Sequence, residues 1–234
     1  MGLRYNPSIV SDALIVNFNA ADKKSYSGSG TTWNDRIGGL SITSSSLEFN
    51  NENSGVISFS GTGGYYVPNV SNAGVELDNQ TFVVWVKTET NMSTTTGGSF
   101  TDWILQWGNY YNNNSGGIGA QTGDFSILLK GSTSSGWSST QNKTLSTTPY
   151  ENGKWIMYTV KFVGNTNVVV YMDNTEIFDK TISDGYTDIA SDRIYLKRGV
   201  MENKMGCFLV YDKVLSDAEI AKNFQAFSGR FGRF

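Results

Sequence analysis

KWIMYTVKFVGNTNVVVYMDNTEIFDKTI, residues 154–182, decides the fold class of this chain. Its opening, Trp155 to Phe162, alternates, with Ile156, Tyr158, Val160 and Phe162 on one side. Every second residue shares a face only in a strand. Gly164 to Asn167 reads as a turn, and Val168 to Met172 is strongly β-branched, which favours a second strand. Asp173-Asn174 can adopt the positive φ that a two-residue hairpin turn demands. Thr175 to Ile182 then returns, and the whole reads as a three-stranded meander.

Outward from the meander the same pattern recurs. Ala13 to Phe18, Val56 to Ser60 and Tyr65 to Val67 are short strand candidates, the last ended by Pro68. Thr81 to Lys87, TFVVWVK, is apolar on both sides, so it reads as a central strand covered on both faces. Thr101 to Gly108, TDWILQWG, is expected to place Trp103, Leu105 and Trp107 on one face. Phe125 to Lys130 follows, then Arg193 to Lys197 with Ile194 and Leu196 inward, then Cys207 to Tyr211. The one convincing helix comes next. Ser216 and Glu219 form a capping box, Leu215 and Ile220 a hydrophobic staple, and Ile220, Phe224 and Phe227 an apolar stripe. Gly229 is the expected stop. Ten or more short strands and one helix, with no strand–helix alternation, predict an all-β antiparallel two-sheet jelly-roll sandwich. A single domain is expected over residues 1–234, with 1–11 and 228–234 as docking arms.

Composition excludes several functions. Charged residues make up 17% and the net charge is −3, so no basic field attracts nucleic acid. There is no histidine, which removes Ser-His-Asp and Cys-His nucleophilic sites and every histidine-containing metal site. Cys207 is the lone cysteine and reads as a small core residue. The opening residues carry no signal-peptide pattern, and no apolar run reaches membrane-spanning length, so no membrane partner is expected.

The order of motifs resembles the concanavalin A-like, laminin-G-type jelly rolls found in tailed-phage virion structural proteins. The resemblance runs through SDALIVNFNAADKKSYSGSGTTWNDRIGG, VISFSGTGGYYVP, QTFVVWVK, GKWIMYTVKF with VVVYMDN, and GCFLVYDKVLSDAEIAKNFQAFSGRFG. It implies a non-enzymatic protein of the virion surface, a capsid decoration or accessory subunit that binds other virion proteins and can form homo-oligomers on the particle. The alternative it implies is a carbohydrate-binding, lectin-like adsorption module of a tail or fibre. Some relatives bind calcium through acidic turns. Here Gly61-Thr62-Gly63-Gly64 and Asn19 stand where carboxylates are common, which weakens such a site and leaves Asp22, Asp35, Asp173 and Asp212 as the remaining ligands to weigh. No cofactor and no metal are therefore expected.

Glucanases share this sandwich and use a Glu-x-Asp-x-(x)-Glu strand, but no stretch here fits it. Glu48 to Glu52 lacks the Asp, and Glu176 and Asp179 would fall on opposite faces of a regular strand. Two sets of binding candidates remain. For glycans they are Trp103, Trp107, Tyr110, Tyr111 and Asn112, with Trp137, because sugars stack on aromatic rings and amides satisfy hydroxyls. The alternative for the Trp pair is the sandwich interior. For assembly contacts they are Arg230, Phe231, Arg233 and Phe234, aromatics interleaved with guanidinium groups. The alternative for Phe231 is packing on its own sandwich. Deletion of Arg230 to Phe234 is expected, on the docking reading, to leave a folded domain that no longer attaches to particles.

Overall fold

The structure is a computed structural model describing residues 8–44, 47–59, 64–89, 100–108, 113–121, 124–132, 141–145, 152–199 and 201–233. The strands are β1 (Leu14–Asn19), β2 (Thr32–Asn34), β3 (Ser41–Thr43), β4 (Leu47–Asn50), β5 (Val56–Phe59), β6 (Tyr65–Pro68), β7 (Thr81–Thr88) and β8 (Phe100–Trp107). They continue with β9 (Ser115–Gln121), β10 (Asp124–Lys130), β11 (Gln141–Leu145), β12 (Trp155–Val163), β13 (Asn167–Met172), β14 (Thr175–Thr181), β15 (Arg193–Lys197) and β16 (Asn203–Tyr211). The helix α1 spans Asp217–Phe231.

The predicted meander is β12-β13-β14, and Asp173 takes φ +55° at its hairpin turn. The meander forms one end of the first sheet, ordered β14-β13-β12-β7-β16-β5-β4, while β1 pairs with the other half of β16. The second sheet runs β11-β10-β9-β8-β15-β6, and β2-β3 is a small separate hairpin. Every strand pairing is antiparallel. The inward side chains of the two sheets share one core: Phe82, Val84 and Val86 from β7, and Ile156, Tyr158, Val160 and Phe162 from β12, meet Leu105, Trp107, Ile127, Ile194 and Leu196. This is the expected jelly-roll sandwich.

The other face of the first sheet is apolar too. Val83, Trp85, Trp155, Met157, Cys207, Leu209 and Tyr211 point there and are covered by Leu215, Ile220, Phe227 and Phe231 of the α1 segment. The Ser216–Glu219 capping box is present. Burial pushes the Cys207 thiol up to about 12, which keeps it a packing group rather than a nucleophile. Beside the helix, Lys87 and Lys204 are cross-strand partners, an arrangement that alone would repel. Glu52 and Glu89 close the square: Lys204 lies 2.7 and 2.9 Å from them, and Lys87 pairs with both. Burial alone would raise both carboxyls, but the hydrogen bonds from Lys204 and Lys87 outweigh it and lower them.

Three expectations are corrected here. The helix does not stop at Gly229; it runs to Phe231 and ends at Gly232, φ +66°. A glycine inside a helix costs about 1 kcal/mol, and burial of Phe231 outweighs it. Its ring centroid lies 4.4 Å from Trp155 and 4.8 Å from Trp85. The contact is so close that a Cβ on Gly206 would lie 2.1 Å from Phe231 Cζ.

The second correction concerns the arms. Arg230 donates to Asn53 O at 2.7 Å, to Asn19 Oδ1 at 3.1 Å and to Gly55 O, and Arg233 pairs with Asp173. These groups, proposed for a partner, are held by their own fold, and Phe234 lies outside the described residues. On the other arm residues 1–7, and with them that part of the docking expectation, lie outside the described residues; within the described part, Val10 N–H donates to Asn223 Oδ1 at 2.9 Å and its carbonyl accepts from the Tyr211 hydroxyl at 3.0 Å.

The third is a matter of register. A bulge in β14 sets Tyr171 opposite Glu176 and Val169 opposite Asp179. Tyr171 and Val169 both face the helix side, so the two acids share that face instead of opposing. Both are exposed.

Two outcomes follow for stability. Phe231→Ala should cost about 3–5 kcal/mol, and deletion of residues 230–234 should destabilise at least as much; urea unfolding checks both, and a deletion variant as stable as the parent would contradict this packing. Glu219 is the second case. Its carboxyl is held down at about 2, first by the hydrogen bond from Lys213, then by the Ser216 backbone. A lowered carboxyl stabilises the fold above its unfolded value of 4.5, and that contribution fades as pH falls toward about 2. Glu219→Gln should therefore lose about 1 kcal/mol at pH 7, the size of a cap with solvent screening allowed for, and match the parent near pH 2.

Candidate functional site on the outer face of the second sheet

The outer face of the first sheet is covered at its centre by α1, whereas the outward side chains of β6 and β15 are polar and aromatic, with Tyr195 buried and Tyr66 exposed at the sheet edge. Tyr65 and Tyr66 are adjacent on the edge strand β6, so one must face in and one out. Tyr65 joins the core, and Tyr66 is 37% exposed. Next to it on β15, Arg193 and Tyr195 alternate outward while Ile194 and Leu196 enter the core. The register sets Tyr195 opposite Tyr66 on one side and opposite Gln106 on the other.

These side chains form a ladder. The Tyr66 and Tyr195 rings are 5.3 Å apart. The Arg193 guanidinium lies 4.8 Å from the Tyr66 ring centre, and that of Arg198 lies 5.1 Å from the Tyr195 ring centre. Arg193 also donates to Ser191 O at 3.1 Å, and Arg198 to Gln106 Oε1 at 3.4 Å. Gly64 makes room for the stack: a Cβ there would sit 3.2 Å from the Tyr195 ring.

Tyr66 also lines a groove between β3 and β6 of about 320 Å³. Its other walls are Ser41, Ile42, Thr43, Ser44, Gly64, Tyr65 and Pro68. Its volume is at the lower end for small-ligand sites. One aromatic ring and several hydroxyls are the groups that a sugar needs: a flat apolar surface for C–H faces and short donors and acceptors for hydroxyls. A second cleft, about 370 Å³, is lined by Ser71, Val75, Glu76, Thr187, Asp188, Ile189 and Asp192. Its Asp192 carboxylate accepts from the Ser71 N–H and hydroxyl at 2.8 and 2.9 Å, and Asp188 from Asn114 at 2.8 Å. Two of its acids therefore organise loops.

The glycan candidates from sequence fare unevenly. Tyr110, Tyr111, Asn112 and Trp137 lie outside the described residues. The described residues that bracket the Tyr-Tyr-Asn segment are anchored: Gly108 N–H donates to Arg193 O at 3.0 Å, and the Asn114 amide bonds Thr187 and Asp188. Trp103 and Trp107 are closed to a sugar, being 2% and 0% exposed. They do not share a face either. A bulge between Trp103 and Leu105 turns Trp107 into the core, edge-on to Phe162 at 5.2 Å, and leaves Trp103 packed with Leu128 on the opposite side.

Tyr66, Tyr195, Arg193 and Arg198 were not singled out from sequence. The Tyr-Tyr doublet of β6 was a usable signal, because alternation forces one tyrosine outward. No sequence signal places Arg198 against Tyr195, since a bulge between Tyr195 and Lys197 sets it there.

Each residue weighed for calcium has at least one oxygen engaged elsewhere, while Asp35 Oδ2 is buried with no hydrogen-bond partner among the described residues. Asn19 Oδ1 accepts from Arg230, Asp22 pairs with Arg36 at 3.0 Å, Asp35 accepts from Asn17 N–H, Asp173 pairs with Arg233, and Asp212 accepts from Gln80. Among the described residues no three acidic, cysteine or histidine side chains converge as metal ligands.

No protein-family model matches the chain, and no curated protein matches it. Solved structures do match. The binding domain of Paraclostridial Mosquitocidal Protein 1 superposes with a TM-score of 0.71 at 12% identity, over 94% of this chain and 55% of that one. The binding domain of botulinum neurotoxin DC, solved with rat synaptotagmin II, gives 0.67 at 14% identity, over 93% and 52%. Trypanosoma rangeli sialidase gives 0.68 at 14% identity, over 95% and 34%. The chain thus spans about half or less of the length of these neighbours. The likeness is one of fold: an antiparallel β-sandwich that also occurs in toxin binding domains.

Proposed function

We propose that this protein is a non-catalytic carbohydrate-binding module, with the β3–β6 groove as its site and Tyr66 as its stacking platform. The observation that carries the reading is the conjunction, in one place, of an exposed tyrosine with a hydroxyl-lined groove of about 320 Å³. The neighbours lend support in kind. A botulinum neurotoxin DC binding domain was solved in complex with SialylT, and type C entry depends on interaction with two ganglioside molecules. Those proteins are about twice as long as the matched region, so the reading for this chain stands on its own groove.

Catalysis is not part of the proposal. Glu52 is committed to two lysines, and Glu176 and Asp179 stand on an exposed face remote from the β3–β6 groove lining. On the resemblance in sequence alone, the proposal extends to such a module on the surface of a tailed-phage particle, where binding host glycans would serve adsorption. A purely structural decoration role drew on the C-terminal arm, and Arg230, Phe231 and Arg233 are spent inside the fold.

A glycan array followed by calorimetry tests the proposal. Tyr66→Ala should weaken binding about tenfold at a cost of about 1 kcal/mol in stability, the worth of its ring contacts with Tyr195 and Arg193. Tyr110→Ala, Tyr111→Ala and Trp137→Ala are the comparison set: loss there with Tyr66→Ala intact would place the site elsewhere. Absence of any glycan ligand would reject the module itself.

A further inference from the structure

The aromatic ladder beside the groove carries charge that no carboxylate among the described residues pairs. The chain holds 21 acidic and 18 basic residues, an excess of acid. Most partly buried cations use it: Arg36, Lys87, Lys161, Lys204, Lys213 and Arg233 each face a carboxylate. Arg230, without one, is saturated by carbonyl oxygens. Arg193 and Arg198 are different. Among the described residues neither forms an ion pair, and each makes only one or two hydrogen bonds to neutral oxygens. Asp192, next in sequence to Arg193, is turned to Ser71 instead.

Both guanidinium groups are nevertheless held in place. Stacking on Tyr66 and Tyr195 fixes the plane of each without consuming its N–H edge. A guanidinium has five donors, so most remain available in a fork that fits a carboxylate. The two are half-buried rather than dangling in solvent, which reduces the entropy lost on engaging a ligand. Tyr66 belongs both to this ladder and to the hydroxyl-lined groove. A ligand seated on Tyr66 would therefore meet hydroxyls on one side and cationic forks on the other.

We infer that the glycan taken by this site is an acidic one, a sugar bearing a carboxylate such as a uronic or sialic acid, with Arg193 and Arg198 as its charge-reading residues. The inference rests on the carbohydrate-binding reading and adds the class of sugar to it. An acidic peptide would satisfy the arginines, but it would leave the Tyr66 ring and the Ser41–Ser44 wall without a role.

The test uses the full chain and needs no variant at first. Calorimetry compares oligogalacturonate with its carboxyl-reduced form, and sialyllactose with lactose. The acidic member of each pair should bind about tenfold more tightly at low salt, and the gap should close as salt rises past the screening range. Arg193→Gln and Arg198→Gln should each narrow the gap by weakening the acidic sugar more than the neutral one, with a cooperative melting curve showing that both variants still fold. Equal binding of acidic and neutral sugars, with both arginine variants indifferent, would overturn the inference and leave the carbohydrate-binding reading standing. Binding of neither would overturn both. Binding of poly-glutamate in place of every sugar, lost in the arginine variants, would overturn the sugar assignment in favour of an acidic protein segment.

Discussion

Trp85 and Trp155 stand side by side on the outer face of the first sheet, and covering them is the constraint on which the rest of this fold depends. An uncovered apolar face of that size would be an adhesive surface. The helix α1 is the cover, and Phe231 is the side chain that fits over both indoles. The fit requires Gly206 beneath it, a helix that runs through Gly229, and a guanidinium at Arg230 whose charge is absorbed by Asn53, Gly55 and Asn19. Residues that look like a loose, partner-seeking tail are the lid of a second core.

Because α1 covers the centre of one outer face, recognition is left to the edges and loop ends of the sandwich. That division explains the contrast in side chains. On the first sheet, outward positions of β7, β12 and β16 are Trp85, Met157 and Leu209. On the second, outward positions of β6, β8 and β15 are Tyr66, Gln106 and Tyr195, edged by Arg193 and Arg198. The groove at β3–β6 lies at the open edge of that sheet, where side chains of the small β2-β3 hairpin approach it. A rigid sandwich with stacked aromatics at such an edge is pre-organised, and pre-organisation is what makes a shallow site bind.

Much of this architecture was legible in the residues. Alternation in Trp155 to Phe162 and two-sided burial in Thr81 to Lys87 led directly to a central pair of strands, and the Ser216–Glu219 cap located the helix. Two of the errors have one form: each came from extending a local pattern through a place where the chain slips by one residue. The bulge between Trp103 and Leu105 separated two tryptophans that alternation had put together, and the bulge in β14 joined two acids that alternation had put apart. At Gly229 a local stop signal was overridden because burying Phe231 is worth more than a helical glycine costs.

By itself the sequence determined the class of fold, its central strands, its one capped helix and the absence of histidine chemistry, since all of these follow from periodicity of two, capping spacing and composition, which are local properties. Only the tertiary structure decided which aromatics remain reachable and which arginines have no carboxylate partner among the described residues. Those depend on register between strands far apart in the chain, on bulges that change facing, and on which acid happens to meet which base across the sandwich. Tyr66 and Arg193 are 127 positions apart in the numbering; their stacking exists only because β6 and β15 pair in that register and no other.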